Sequence, residues 1–120
     1  MFVSLSDTPS FALAAGATAR ALFGERSMLN RVELEPGATV ALHSHPHEQL
    51  GLMLRGSMTM TIGDEQREIH EDDAYLVPGV THGATAGTAG AVVLDVFAPV
   101  REDYRDQAER AATRHLPPRR

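Results

Sequence analysis

The amino-acid sequence predicts an all-β barrel or sandwich followed by one short C-terminal helix. Three observations carry this expectation. No long helical pattern precedes residue 101. Short apolar or alternating runs recur instead, separated by turn residues at intervals of roughly 8–12 residues, the spacing of strands in barrels and sandwiches. From Arg101 to Arg114 the chain becomes charged, alanine-rich and free of Gly and Pro.

The elements follow in order. The N-terminal region holds an apolar patch, Phe11 to Ala15, ended by Gly16, and N-terminal strands are expected there. Val32 to Glu35 alternates and stops at the turn pair Pro36-Gly37. Thr39 to His43 forms the next strand, with Val40 and Leu42 assigned to one face and Ala41 and His43 to the other. Leu50 to Leu54 is apolar and stops at Arg55-Gly56. Ser57 to Ile62 puts Met58, Met60 and Ile62 on one face, and Gly63-Asp64 closes a hairpin returning over about Gln66 to His70. Asp73 to Val77 is a strand ended by Pro78-Gly79, Gly83 to Gly90 reads as a small-residue loop, and Val92 to Phe97 is the last strong strand. Arg101 to Arg114 favours helix, and beyond Pro117-Pro118 a basic tail is expected to fray. The expected division is a barrel over 1–104 and a helix with tail over 105–120. The helix has few large apolar residues, so it should lie on the surface or against a second subunit.

Length and composition narrow the function classes. A chain of 120 residues suits one domain, and 42% apolar with 22% charged residues is ordinary for a globular protein. A net charge of −5 argues against nucleic acid as a partner, since phosphate binding needs clustered Lys and Arg. The absence of cysteine excludes disulfides and thiolate metal sites. No run approaches the ~20 apolar residues of a membrane span. The N-terminus lacks the basic region and apolar run of a signal peptide, so no membrane partner and a cytoplasmic location are expected.

The most informative segment is Gly37 to Gly56, GATVALHSHPHEQLGLMLRG. His43 and His45 stand two apart at a strand end, so strand alternation points both imidazoles the same way. Such a pair can grip one metal ion. Glu48 or Gln49 is near enough to return as a third ligand, and His82, after the Pro78-Gly79 turn, can supply a fourth. Imidazole suits Zn, Cu, Fe and Ni, and oxygen ligands shift preference toward Mn. The competing reading is a solvated histidine loop beside Pro46, with His47 either supporting the ligands or simply exposed.

A second constellation lies in VVLDVFAPVREDY, Val92 to Tyr104. Asp95 and Phe97 share strand parity, opposite to Val92, Leu94 and Val96. A carboxylate on so apolar a strand is costly to bury unless it has partners or a task. Phe97 beside it would keep the site dry and raise the carboxyl pKa, which poises an acid for proton transfer. Arg101 presents a planar fork suited to a carboxylate. The bland alternative is an Asp95–Arg101 ion pair beside a core phenylalanine. Glu102 and Asp103 suit the first turn of a helix.

The first segment resembles the leading motif of the cupins: glycine, five residues, HxH, three or four residues, Glu or Gln, six residues, glycine. Gly37, His43, His45, Gln49 and Gly56 fill those places. Asp72 to His82, DDAYLVPGVTH, resembles the second motif, with Asp72 where glycine is usual and a turn one residue short. The resemblance implies a double-stranded β-helix, or jelly roll, holding one divalent transition metal (Ni, Zn, Mn or Fe) with His43, His45, Gln49 and His82. Gln49 stands where glutamate is commoner, and a neutral amide leaves the ion its full charge for Lewis-acid work.

Residues 30 to 104 further resemble the small KdgF-type cupins of pectin and alginate degradation. That likeness implies Asp95, Phe97 and Arg101 near the substrate, with conversion of 4,5-unsaturated monouronates to linear 5-keto uronates. Asp95 would move the proton to C4, Arg101 would clamp the carboxylate and Phe97 would pack on the sugar. The small-molecule partner is then a carboxylated sugar. Rival readings are a metal-dependent cupin dioxygenase and a non-enzymatic small-molecule-binding cupin. A homodimer, pairing through edge strands, is the expected assembly.

Overall fold

A computed structural model describes residues 1–114 and consists mostly of strands in an antiparallel arrangement with one C-terminal helix. The strands are β1 (Phe11–Ala14), β2 (Ala17–Phe23), β3 (Met28–Leu34), β4 (Thr39–His43), β5 (Glu48–Ile62), β6 (Glu65–Ile69), β7 (Ala74–Pro78) and β8 (His82–Ala98); the helix is α1 (Glu102–Arg114). The tail expected to fray, residues 115–120, lies outside the described residues. Among the described residues no helix is long and apolar enough to cross a membrane.

Two long strands organise the barrel. β5 and β8 run antiparallel to each other over almost their whole length. The first part of β5 (Glu48–Leu52) pairs with β7, and the last part (Met58–Ile62) pairs with β6. β8 pairs with β4 near its start and with β3 from Ala91 to Phe97. The same two strands therefore serve both halves of the barrel. The register shifts of β5 at Met53/Arg55 and Gly56/Met58 let them turn the corner. At that corner a Cβ on Gly56 would fall 2.1 Å from the Gly90 carbonyl oxygen, so the backbones touch there.

This geometry corrects three sequence expectations. Arg55-Gly56 bends one 15-residue strand and does not separate two. The supposed loop Gly83 to Gly90 belongs to the 17-residue β8. Its small residues are steric necessities: a Cβ on Gly83 would meet the Val40 oxygen at 2.8 Å, and one on Gly87 would meet Ser57 Oγ at 2.3 Å. Third, a register irregularity between Val40 and His43 breaks strict alternation in β4. Val40 and His43 consequently line the same interior cavity, while Leu42 is 64% exposed.

The core is built from alternate residues. Met28, Val32 and Leu34 of β3 pair in register with Phe97, Val93 and Ala91 of β8, and Met53, Met58 and Met60 of β5 are buried in the same core. α1 packs on the chain's own barrel. Tyr104, Ala108 and Ala111 form its inward stripe at helical spacing, and the Tyr104 ring meets Phe11 at 5.8 Å and Phe97 at 5.7 Å. The outer face carries one apolar row, Leu22–Leu29–Val96–Leu50–Leu76, aligned by register across five strands.

Candidate metal centre and acid site

Three histidines from two strands and a loop converge inside one end of the barrel. His43 and His82 are register partners on β4 and β8, with ring centroids 4.3 Å apart. The His45 ring lies 4.8 Å from that of His82 and 5.8 Å from that of His43. One ligand atom from each lies within 4.8 Å of the others, a set that could hold a metal ion.

Backbone carbonyls set the tautomers. Nδ1 of His43 faces Ala41 O at 2.8 Å, Nδ1 of His82 faces Val80 O at 2.8 Å, and Nδ1 of His45 faces His47 O at 3.1 Å. A carbonyl only accepts, so each Nδ1 carries the hydrogen and each Nε2 presents a lone pair. Nε2 of His82 is buried without a hydrogen-bond partner among the described residues. Nε2 of His45 lies 3.1 Å from Gln49 Oε1. Gln49 also neighbours Asp95 and lowers its carboxyl pKa, and an amide whose NH₂ is turned to that acceptor leaves Oε1 facing the imidazole. Two acceptors and an orphaned imidazole nitrogen around one point are the surroundings a cation needs, so the donor set fits a divalent metal. Gln49 is buried and Glu48 is exposed on the opposite face. The half-buried His47 supplies its backbone carbonyl to His45.

Asp95 lies beside this cluster and is buried on the inner face of β8. Burial pushes its carboxyl up from 3.8 to about 6, opposed by hydrogen bonds from Tyr75 and Gln49 and by the Arg101 charge. The Tyr75 hydroxyl donates to Asp95 Oδ1 at 2.6 Å. That contact crosses a whole strand. In register the inner row runs Ala21–Asn30–Asp95–Gly51–Tyr75. Gly51 has no side chain, and the Tyr75 ring occupies the space above it. Asn30, on the other side of Asp95, has 0% exposure, and neither polar atom of its amide finds a partner among the described residues. Leaving such a group unmade costs about 1–3 kcal/mol.

Arg101 is not paired with Asp95. Its Nε and one terminal nitrogen donate to the two carboxylate oxygens of Asp103 at 3.1 and 2.8 Å. The guanidinium carbon stacks 3.9 Å from the Tyr104 ring centroid and 5.2 Å from that of Phe97. This two-sided hold leaves the remaining N–H groups for a ligand in the cavity that Arg101 shares with Asp95, Gln49, His43 and His82. Phe97 is buried, edge-on to His45 at 5.6 Å, with the Arg101 guanidinium carbon 5.2 Å from its ring centroid on the same cavity wall. Sequence reasoning missed Tyr75, Asn30, Gly51 and Asp103. A signal existed for Asn30: it is a polar residue at the inward parity of Met28, Val32 and Leu34, the pattern that drew attention to Asp95.

The cluster makes the metal-free protein acid-sensitive. Burial, then the Arg101 and His82 charges, hold His45 down from 6.5 to about 4, and burial also lowers His82. As pH falls from about 6.5 toward 4, the unfolded chain takes up protons that the folded histidines refuse, so stability declines. Asp95 acts oppositely, because its raised value lets the folded state bind a proton first between about 6 and 3.8. Two histidines against one carboxyl leave a net loss. Calorimetry on chelator-treated protein should give a lower Tm at pH 5 than at pH 7. A flat or rising Tm would mean that the imidazoles are solvated.

Comparison with known proteins agrees with this geometry. Residues 30–97 match the family model described as a cupin domain. A pectin degradation protein, KdgF of Dickeya dadantii, is 33% identical over 79 residues, covering 64% of this chain and 72% of that protein. The structure of KdgF from a Halomonas species superposes with a TM-score of 0.80 at 25% identity, over 87% of this chain and 97% of that one. Oxalate decarboxylase of Bacillus subtilis, whose structure was studied for its Mn(II) centres, superposes at 0.75 with 30% identity, over 84% of this chain and 30% of that one.

Proposed function

This chain belongs to the cupin family, and from that premise we propose that it converts 4,5-unsaturated monouronates into linear 5-keto uronates, using a divalent metal held by His43, His45, Gln49 and His82. The observation that carries the reading is the junction made by Gln49, whose amide faces His45 with its oxygen and Asp95 with its nitrogen. It joins a metal-binding donor set to a buried acid, inside a cavity that also holds a stacked arginine. Similarity to the KdgF proteins supports the substrate class.

The reaction is an isomerisation. The bond from the anomeric carbon to the ring oxygen breaks, the anomeric hydroxyl loses its proton as the aldehyde forms, and C4 gains a proton as the enol oxygen becomes the C5 ketone. When bound, the divalent ion supplies Lewis-acid polarisation of a substrate oxygen. Asp95, held near neutral pH by burial, delivers the proton to C4. Tyr75 holds the carboxyl aimed at the cavity through Oδ1. Arg101, pre-oriented by Asp103 and the two rings, takes the substrate carboxylate. Phe97 supplies an apolar surface of the same cavity, next to both His45 and Arg101.

The test is elemental analysis of the purified protein together with the ultraviolet absorbance of the conjugated enol ether, using unsaturated uronates from pectin and from alginate. The metal-loaded protein should speed the loss of absorbance on at least one of them, and chelation should abolish it. A rate equal to the spontaneous one on both would overturn the reading. Arg101→Lys should raise KM by about tenfold with kcat little changed, because an ammonium cannot reproduce the bidentate fork; an unchanged KM would make Arg101 structural. A homodimer would cover the outward row Leu22–Leu29–Val96–Leu50–Leu76, and a monomer mass by light scattering would exclude it.

A further inference from the structure

We infer that Asn30 is a substrate-binding residue that grips the ring hydroxyl next to the carbon protonated by Asp95, and so selects hydroxylated sugar acids over deoxy analogues. The inference rests on the uronate reading above and deepens it. Asn30 and Asp95 are direct register partners on the inner faces of β3 and β8, where cross-strand side chains stand about 5 Å apart at Cβ. Asn30 lines the same cavity as His43, Gln49, His82, Asp95 and Arg101. It is completely buried, and both ends of its amide lack a protein partner among the described residues. A core position with no task would be filled by an apolar residue, as its neighbours Met28 and Val32 are.

The chemistry of the amide selects the ligand group. It offers two N–H donors and one acceptor oxygen. A carboxylate only accepts and would leave Oδ1 unmet, and Arg101 already provides for one. An apolar group meets neither end. A hydroxyl both donates and accepts, so it satisfies either end, and a pair of neighbouring hydroxyls satisfies both. The carbons adjacent to C4 of the uronate are C5, which carries the carboxylate and the ring oxygen, and C3, which carries a hydroxyl. With Asp95 at C4 and Arg101 on the carboxylate, the C3 hydroxyl is the group left for Asn30.

The test compares wild type with Asn30→Leu, which keeps the heavy-atom count and the branching at Cγ and removes the dipole. A binding role and a structural role move stability and KM in different directions. Asn30→Leu should retain its metal by elemental analysis and show a Tm equal to or above wild type, because an unpaired buried amide has been removed. Its KM for the unsaturated uronate should rise about tenfold with kcat within about threefold, the effect of one or two lost hydrogen bonds. Wild type should also prefer the uronate over its 3-deoxy analogue by a factor that Asn30→Leu loses. Unchanged KM and unchanged discrimination, or a Tm that falls while KM stays put, would overturn the inference. Should Asn30→Leu fail to fold, Asn30→Ser is measured instead, with an intermediate KM expected and a wild-type KM overturning the inference. Inactivity of the wild-type protein itself counts against the uronate reading and is distinguished by that control.

Discussion

Asp95→Asn should lower turnover of the unsaturated uronate by roughly 10²- to 10⁴-fold, the contribution of a positioned general acid. The asparagine keeps the shape of the side chain and an acceptor for Tyr75 or Gln49, so the fold and the metal should survive. It cannot carry the exchangeable proton that C4 needs. The loss should fall on kcat, with KM within a few-fold, because Arg101 still takes the substrate carboxylate. Elemental analysis of the variant should return the wild-type metal content. Turnover within threefold of wild type would remove Asp95 from the chemistry and leave it as a buried polar group supported by Tyr75. The site gives reason to expect the large effect. Burial raises this carboxyl toward neutral pH while the Tyr75 hydrogen bond holds it in place, so an acid group sits where it can be both protonated and aimed.

Gly51→Ala should strongly destabilise the barrel and damage the site at the same time. Its Cβ would lie 1.9 Å from Cζ and 2.4 Å from the hydroxyl oxygen of Tyr75. The ring cannot shift without giving up its 2.6 Å bond to Asp95. Overpacking of this kind costs about 3 kcal/mol or more when the obstacle is held, which corresponds to a fall in Tm of roughly 10–20 °C for a domain of this size. Activity should fall as well, since the displaced Tyr75 no longer orients Asp95. The double variant Gly51→Ala/Tyr75→Ala should recover part of the stability but not the activity, because the clash is gone and the hydrogen bond is not restored. Wild-type Tm for Gly51→Ala alone would show that the Tyr75 ring does not cross β5 as described.

These two residues illustrate how differently legible the site was. Asp95 could be singled out from the chain because strand alternation is local: its parity with Phe97 and against Val92, Leu94 and Val96 already set it inward. His43, His45 and Gln49 were readable for a related reason, lying within seven residues at spacings that a strand end and a tight turn bring together. Tyr75 and Gly51 carried no such mark. Their meaning depends on β5 lying between β7 and β8, a pairing that joins Gly51 to positions 75 and 95. The bland alternative, an Asp95–Arg101 ion pair, is not what forms: the helix start places Asp103 against the guanidinium, while Tyr75 serves Asp95. Asp72 shows a departure that the backbone absorbs. It stands where the family commonly has glycine and adopts a left-handed φ of 73°, a conformation that aspartate tolerates better than most residues.

Reading along the chain therefore established the all-β class, the helix after Arg101, the inward pair Asp95 and Phe97, and the three histidines that could hold a metal ion. Alternation, turn residues and short-range spacing are properties of neighbouring residues and need no knowledge of the fold. Folding added what depends on register between distant strands. It merged Leu50–Leu54 with Ser57–Ile62 into one bent strand, drew the Gly83–Gly90 segment into β8, and placed Tyr75 and Asn30 on either side of Asp95. The physical reason is that hydrogen-bonded strand pairing couples residues by position in the sheet, and a glycine that reads as a break in one dimension is, in three, the room that another side chain or backbone requires.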